Sequence, residues 1–194
     1  MAKAKVAVLI SGNGSNLQAL IDAARDPTYP ARIVLVISNQ ADAYGLTRAR
    51  NAHIPAVVIN HKSFAGREEF DRAMDGEMKS HGIDYICLAG FMRLLSAWFV
   101  GQWKNRMLNI HPSLLPDFKG THAVRDALQA GVKETGCTVH VVTEELDSGP
   151  AILQGRVPVL PGDTQETLHQ RIHDQEHKIY PQALKEFILQ AQYR

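Results

Sequence analysis

The sequence predicts an α/β fold: a doubly wound, mostly parallel sheet in the N-terminal half, continuing into a strand-rich C-terminal half that ends in helices. Three observations carry this expectation. Short apolar runs alternate with segments whose apolar residues recur every three or four positions. The early runs are apolar almost continuously, as in strands covered by helices on both faces. A glycine-rich loop joins the first run to the first helical segment.

The elements follow in order. Residues 5–10 read as a buried strand, and residues 16–24 as a helix with Leu17, Leu20 and Ile21 on one face. A strand over 33–38, a helix over 45–51, a strand over 56–59, a helix over 67–81 and a strand over 85–89 complete the repeated βα order. The second half differs. A strand over 107–110 stops at Pro112 and Pro116, and a helix spans about 123–130. Two strand-like runs follow at 137–142 and 152–159. The end reads as helical from residue 164, with Pro181 dividing it into two pieces, because proline has no amide hydrogen and crowds the preceding turn. The change of pattern near residue 105 falls within one domain covering residues 1–194.

Composition bounds the function. The chain has 194 residues, 45% apolar and 21% charged, which describes a folded globular domain. A net charge of +1, with no block of Lys and Arg, argues against a nucleic-acid partner. The first apolar run, residues 6–10, is too short for a signal-peptide core or a membrane helix, so no membrane partner and a cytoplasmic location are expected. Cys87 and Cys137 sit in apolar runs with spacing that suits neither zinc nor a redox pair, and read as small buried hydrophobes.

Ser11-Gly12-Asn13-Gly14-Ser15-Asn16 links the first strand to the first helix. Glycines there permit a tight turn and close approach of a ligand, and the amides at the helix start suit a phosphate. Ser15 or Asn16 can cap the helix. The dinucleotide fingerprint would need glycine where Leu17 stands, and an acidic residue where Ser38-Asn39-Gln40 stands, so a dinucleotide is disfavoured. On the loop alone, a phosphate site and a plain capped turn are about equally supported. The carboxyl end of a strand in a doubly wound sheet tilts the balance towards a ligand.

Asn109 and His111 lie two apart at the end of a strand and therefore point the same way. A carboxamide and an imidazole side by side can hold a developing oxyanion and move a proton. Asp147, in the loop Thr143-Glu144-Glu145-Leu146-Asp147-Ser148-Gly149-Pro150, reads by itself as a turn former, and beside His111 as its orienting carboxylate. His169, His173 and His177 share one helical face, and residues 173–177 fit an H-x-x-E-H zinc pattern. Five-residue matches arise often by chance in a chain with nine histidines, so a polar helical face is the favoured reading and no metal is expected.

With these pieces assembled, the chain resembles the folate-dependent formyltransferases, and among them the phosphoribosylglycinamide formyltransferase (glycinamide ribonucleotide transformylase) family. The resemblance runs through residues 8–17, 88–95, 109–116, 136–150 and 175–181 in order. It implies a Rossmann-like N-terminal half of about residues 1–104 that holds the nucleotide phosphate. It also implies a catalytic and folate-binding half of about 105–194.

It further implies transfer of formyl from 10-formyltetrahydrofolate to the amine of glycinamide ribonucleotide, in purine (IMP) synthesis. By the same resemblance Asn109, His111 and Asp147 form the catalytic trio. Gly14, Ser15, Asn16 and Glu176 hold the ribonucleotide. Arg67, Met92, Arg93, Leu94, Leu95, Asn109, Glu144 and Asp147 lie on the folate side. The partners implied are small molecules, in a monomer or homodimer.

One departure stands out: relatives often carry a second histidine where this chain has Val124, which leaves His122 as the histidine beside the site. Two rivals differ in class. Formyltransferases acting on transfer RNA typically add a C-terminal domain and a basic surface, which a charge of +1 over 194 residues does not match. A non-catalytic nucleotide-binding module would use the glycine loop and leave Asn109, His111 and Asp147 idle.

Overall fold

The computed structural model describes residues 2–192. Strands β1 (Ala4–Ile10), β2 (Ala31–Ser38), β3 (Ala56–Val58), β4 (Tyr85–Leu88), β5 (Met107–His111), β6 (Glu134–Val141) and β7 (Ala151–Pro158) form one sheet in the order β3-β2-β1-β4-β5-β6-β7. β1 to β5 are parallel, and β6 and β7 run antiparallel. The order reverses between β1 and β4. A doubly wound sheet opens a crevice at such a point, beyond the carboxyl ends of the strands.

Alternation along the buried strands feeds two apolar layers. Val6, Val8 and Ile10 pack into one with Leu17, Leu20 and Ile21 of α1 (Ser15–Ala24), Leu46 of α2 (Gly45–Asn51) and Val124 of α5 (Ala123–Ala130). Ala7 and Leu9 pack into the other with Phe70, Met74 and Met78 of α3 (Arg67–Ser80). A short α4 (Ala97–Gln102) adds Phe99 and Val100 to that second layer, capped by the Ser96 hydroxyl, which accepts from the Phe99 amide. Six residues are too few for helical periodicity to register in sequence, and α4 is not anticipated there.

The predicted break at Pro181 does not occur. One helix, α6, runs from Gln165 to Gln192 with Pro181 inside it. Buried residues lie on both sides of the proline, Ile172, Ile179 and Tyr180 before it and Ala183, Leu184 and Ile188 after it. Their burial, at roughly 1.5–3 kcal/mol for each large side chain, outweighs the local penalty of about 3 kcal/mol. The Tyr29 hydroxyl also donates to the Pro181 carbonyl at 2.7 Å. β6 begins at Glu134, ahead of the expected residue 137, because Thr135 and Gly136 pair with Val157 and Arg156 of β7.

Tyr180 pins α6 to the sheet centre. It is fully buried, and its hydroxyl lies 2.8 Å from the Leu88 carbonyl and 3.1 Å from the Leu108 carbonyl. Tyr180→Phe removes a buried hydrogen bond to carbonyls that keep their ladder partners between β4 and β5, a loss of about 0.5–1.5 kcal/mol. Urea denaturation is expected to show a lower midpoint with an unchanged slope; an unchanged midpoint would show that the hydroxyl contributes nothing.

Candidate active site

Two polar positions on β5 meet two polar positions on β6. Antiparallel pairing sets Asn109 opposite His140, and His111 opposite Thr138. Directly opposed residues share a face with Cβ atoms about 4.5–5.5 Å apart. Asn109 Nδ2 lies 3.3 Å from His140 Nε2. His140 Nδ1 lies 3.1 Å from the Val141 carbonyl, which only accepts, so Nδ1 carries the hydrogen. Nε2 is then a bare acceptor, and Asn109 donates to it. Burial pushes the His140 pKa down, which fits this neutral tautomer.

Asp147 joins the group from the loop between β6 and β7. Its Oδ1 lies 3.5 Å from His111 Nδ1 and 3.9 Å from His140 Nε2, and its Oδ2 accepts from the Gly120 amide at 2.9 Å. The carboxylate is buried and its backbone is left-handed, at φ 51°, a conformation Asp tolerates. Gly149 lets the loop turn back: a Cβ there would lie 1.7 Å from the Val141 carbonyl oxygen. Asp147 therefore meets His111 directly and comes near Asn109 through His140, a juxtaposition that spacing in the sequence does not contain. His111 Nε2 donates to the Phe118 carbonyl at 2.8 Å, and Nδ1 faces the Asp147 carboxylate, so both its ring nitrogens face acceptors.

Thr138 holds the proline-rich loop. Its hydroxyl donates to the Ser113 carbonyl at 2.7 Å and accepts from the Leu115 amide at 3.1 Å. His140 and Thr138 are the site residues that sequence reasoning passed over. Polar residues two apart in an otherwise apolar strand are the same signal that marked Asn109 and His111.

The glycine loop forms the second part of the site. Gly14, with φ 77°, stands at the N-cap of α1 and no side chain caps the helix; the expected cap from Ser15 or Asn16 does not form. Asn16 is drawn elsewhere: its Nδ2 donates to Glu176 Oε2 of α6 at 3.0 Å. The amides at the helix start thus lack a side-chain acceptor and suit an anion. Any side chain on Gly14 would be strained, since φ is positive and its Cβ would lie 2.7 Å from the Gly45 Cα. Arg48 of α2 braces the loop, donating to the Asn13 carbonyl at 2.9 Å and to Asn13 Oδ1 at 2.7 Å. Glu176 is 3% exposed, and burial raises its pKa to about 7.

Besides Asn109 on β5, the folate-side candidates lie on three separate segments. Met92 and Leu94 are exposed, and Arg93 and Leu95 half-buried, in the loop between β4 and α4. Arg67 opens α3 and is exposed, and Glu144 and Leu146 are exposed on the Asp147 loop. Large apolar side chains left open beside a polar cluster suit a flat, partly apolar ligand. The Arg93 Nε is buried without a partner. Asp71 of α3 is fully buried and accepts from the Ser96 amide at 2.6 Å, which ties this loop to α3.

The Met92 amide donates to the Ser11 hydroxyl at 2.8 Å, and Ser11 donates to Asn39 Oδ1 at 2.6 Å, which links the two loops across the crevice. Among the described residues, no group of three or more His, Cys, Asp or Glu is placed to hold a metal ion, the α6 histidines included.

The formyl transferase family matches residues 4–184. A trifunctional purine biosynthetic protein adenosine-3 from Homo sapiens is 57% identical over 94% of this chain, which spans 18% of that relative's length. A phosphoribosylglycinamide formyltransferase from Escherichia coli is 48% identical, over 94% of this chain and 86% of that protein. The crystal structure of a phosphoribosylglycinamide formyltransferase from Brucella melitensis superimposes with a TM-score of 0.91 at 50% identity, covering 95% of each chain.

Glu176 ties stability to pH. A carboxyl with pKa raised from 4.5 to about 7 makes the native state hold more protons than the unfolded chain between those values. Its contribution to stability therefore falls as pH rises through that window, by on the order of 3 kcal/mol. Urea titrations at pH 5 and pH 8 should show that Glu176→Gln loses less stability across this interval than the wild type; an equal loss would remove Glu176 as the cause.

Proposed function

The chain belongs to the formyl transferase family, and from that premise we propose that it moves the formyl group of 10-formyltetrahydrofolate onto the amine of glycinamide ribonucleotide. The products are formylglycinamide ribonucleotide and tetrahydrofolate, in the synthesis of purines. The names of the relatives matched over most of their length support the amine substrate. The observation that carries the chemistry is Asp147 Oδ1, set 3.5 Å from His111 Nδ1 and 3.9 Å from His140 Nε2, with Asn109 Nδ2 3.3 Å from that same His140 nitrogen. The enzyme takes two small molecules and works in the cytoplasm, as a monomer or a homodimer.

Charge develops on the formyl oxygen as the amine attacks the formyl carbon. Asn109 has two hydrogens on Nδ2; one is spent on His140, and the other is free to meet that oxygen. His140 therefore fixes the direction of the carboxamide. His111 supplies a second donor once Nε2 exchanges the Phe118 carbonyl for the substrate oxygen. That carbonyl belongs to a residue at φ 51°, on the loop whose Gly120 amide holds Asp147. Asp147 balances the charge on His111 and takes part in moving the proton from the attacking amine to the leaving folate nitrogen, through water.

The ribonucleotide phosphate sits on the Gly14, Ser15 and Asn16 amides, and Glu176 receives its ribose hydroxyls. This anchoring makes a two-body encounter nearly unimolecular. The pterin and its tail lie along Met92, Arg93, Leu94 and Leu95, with Arg67 and Glu144 at the rim.

Asn109→Ala is expected to lower kcat roughly 10²–10³-fold with little change in either KM, because it removes a donor used mainly in the transition state. Asp147→Asn and His111→Ala are expected to lose at least as much. Near wild-type turnover in a folded variant would refute the assigned role. Release of tetrahydrofolate in the presence of glycinamide ribonucleotide tests the reaction itself; no release would return the chain to the class of binding modules.

A further inference from the structure

The histidine face of α6 has no part in the reaction above. His169 and His173 have ring centroids 4.1 Å apart, and His173 and His177 6.1 Å apart. The row stands beside the glycine loop. His173 Nε2 is 3.7 Å from Glu176 Oε2, the same oxygen that accepts from Asn16. Two polar atoms here have no partner: His177 Nε2, which can meet a phosphate oxygen, and Oδ1 of Asn16, a residue only 8% exposed, which accepts and so needs a ligand hydroxyl. Buried polar atoms left unpaired in a folded protein call for an explanation, and a bound ligand is one.

We propose that His173 and His177 are the mobile counter-charge of the phosphate pocket, so that a phosphate monoester binding at the glycine loop draws protons onto this histidine row. The proposal rests on the phosphate assignment made under Proposed function. A phosphate monoester carries about −1.5 to −2 charges near pH 7. The loop offers partial charges from amides, and Arg48 is committed to Asn13. The groups facing the row are few. On α6 itself they are His169, Glu176 and the exposed Asp174. From α2 there is Arg48, and from β6 the thiol of Cys137 beneath Glu176. On α5, Arg125 and Asp126 pair with each other.

Without ligand this setting keeps the row neutral. Burial, then repulsion from His169 and His177, lowers the His173 pKa to about 4, and burial lowers that of His177. A dianion reverses the balance, because an opposite charge nearby favours the protonated ring. Affinity for the phosphate ester is then expected to weaken as pH rises above neutrality.

Calorimetry on the full chain at pH 7.5 tests this, with glycinamide ribonucleotide and with ribose 5-phosphate, in buffers of small and large ionisation enthalpy. Net uptake of roughly 0.5–1 proton per phosphate bound is expected, reduced in His173→Gln and in His177→Gln. At this pH the phosphate is almost wholly dianionic, so uptake comes from protein groups. Binding with buffer-independent heat, or with proton release, overturns the proposal. So does uptake that persists in both glutamine variants and vanishes in Glu176→Gln, which would assign the proton to the carboxylate. Absence of binding by the wild type overturns the phosphate assignment, and the proposal with it.

Because the variants can lose binding altogether, histidine ring signals of the wild type are also titrated with and without ribose 5-phosphate. Two upward-shifted titrations are expected, and none would overturn the proposal.

Discussion

The register between β5 and β6 is the constraint from which the site is built. Setting Asn109 opposite His140, and His111 opposite Thr138, puts four polar side chains on one face of an otherwise apolar strand pair. A slip of one residue would turn all of one strand's polar set towards the opposite layer. The reversal from parallel to antiparallel pairing at this point is what makes direct opposition available. It also delivers the following loop back over the same face, where Gly149 folds it against the Val141 carbonyl and Asp147 lands between the two imidazoles.

Burying these groups is tolerable because most of their hydrogen-bonding capacity is used. The His140 ring has an acceptor for one nitrogen and a donor for the other; Asp147 has the Gly120 amide on one oxygen and His111 Nδ1 beside the other. An unpaired carboxylate at this depth would cost several kcal/mol. Rigidity follows from the same accounting: His140 and Thr138 each make at least two side-chain hydrogen bonds beyond the strand ladder. Two of the residues involved, Phe118 and Asp147, adopt left-handed backbone without being glycine. Strain of this kind gathers where surrounding contacts over-determine a conformation.

Much of this was legible in the chain. The alternation of apolar strands and amphipathic helices gave the sheet, and the spacing of Asn109 and His111 gave the strand-end pair. Asp147 was ambiguous by itself, since its loop has ordinary turn chemistry, and only the resemblance singled it out. His140 was illegible as a partner because its role depends on strand register, which no local pattern contains. The contact between Asn16 and Glu176 joins residues 160 positions apart. Pro181 misled for a related reason: a local rule announced a break, and the buried residues on either side of it decided otherwise.

The Ser11 hydroxyl, bonded to Asn39 on one side and to the Met92 amide on the other, has a geometric consequence. It stitches the loop after β1 to the loop after β4 through main chain and a short side chain, with no long flexible residue between them. The gap separating the two ligand cradles is thereby set by the sheet itself. With the ligands seated as proposed, a span fixed in this way would select a bound molecule by its length as well as its charge.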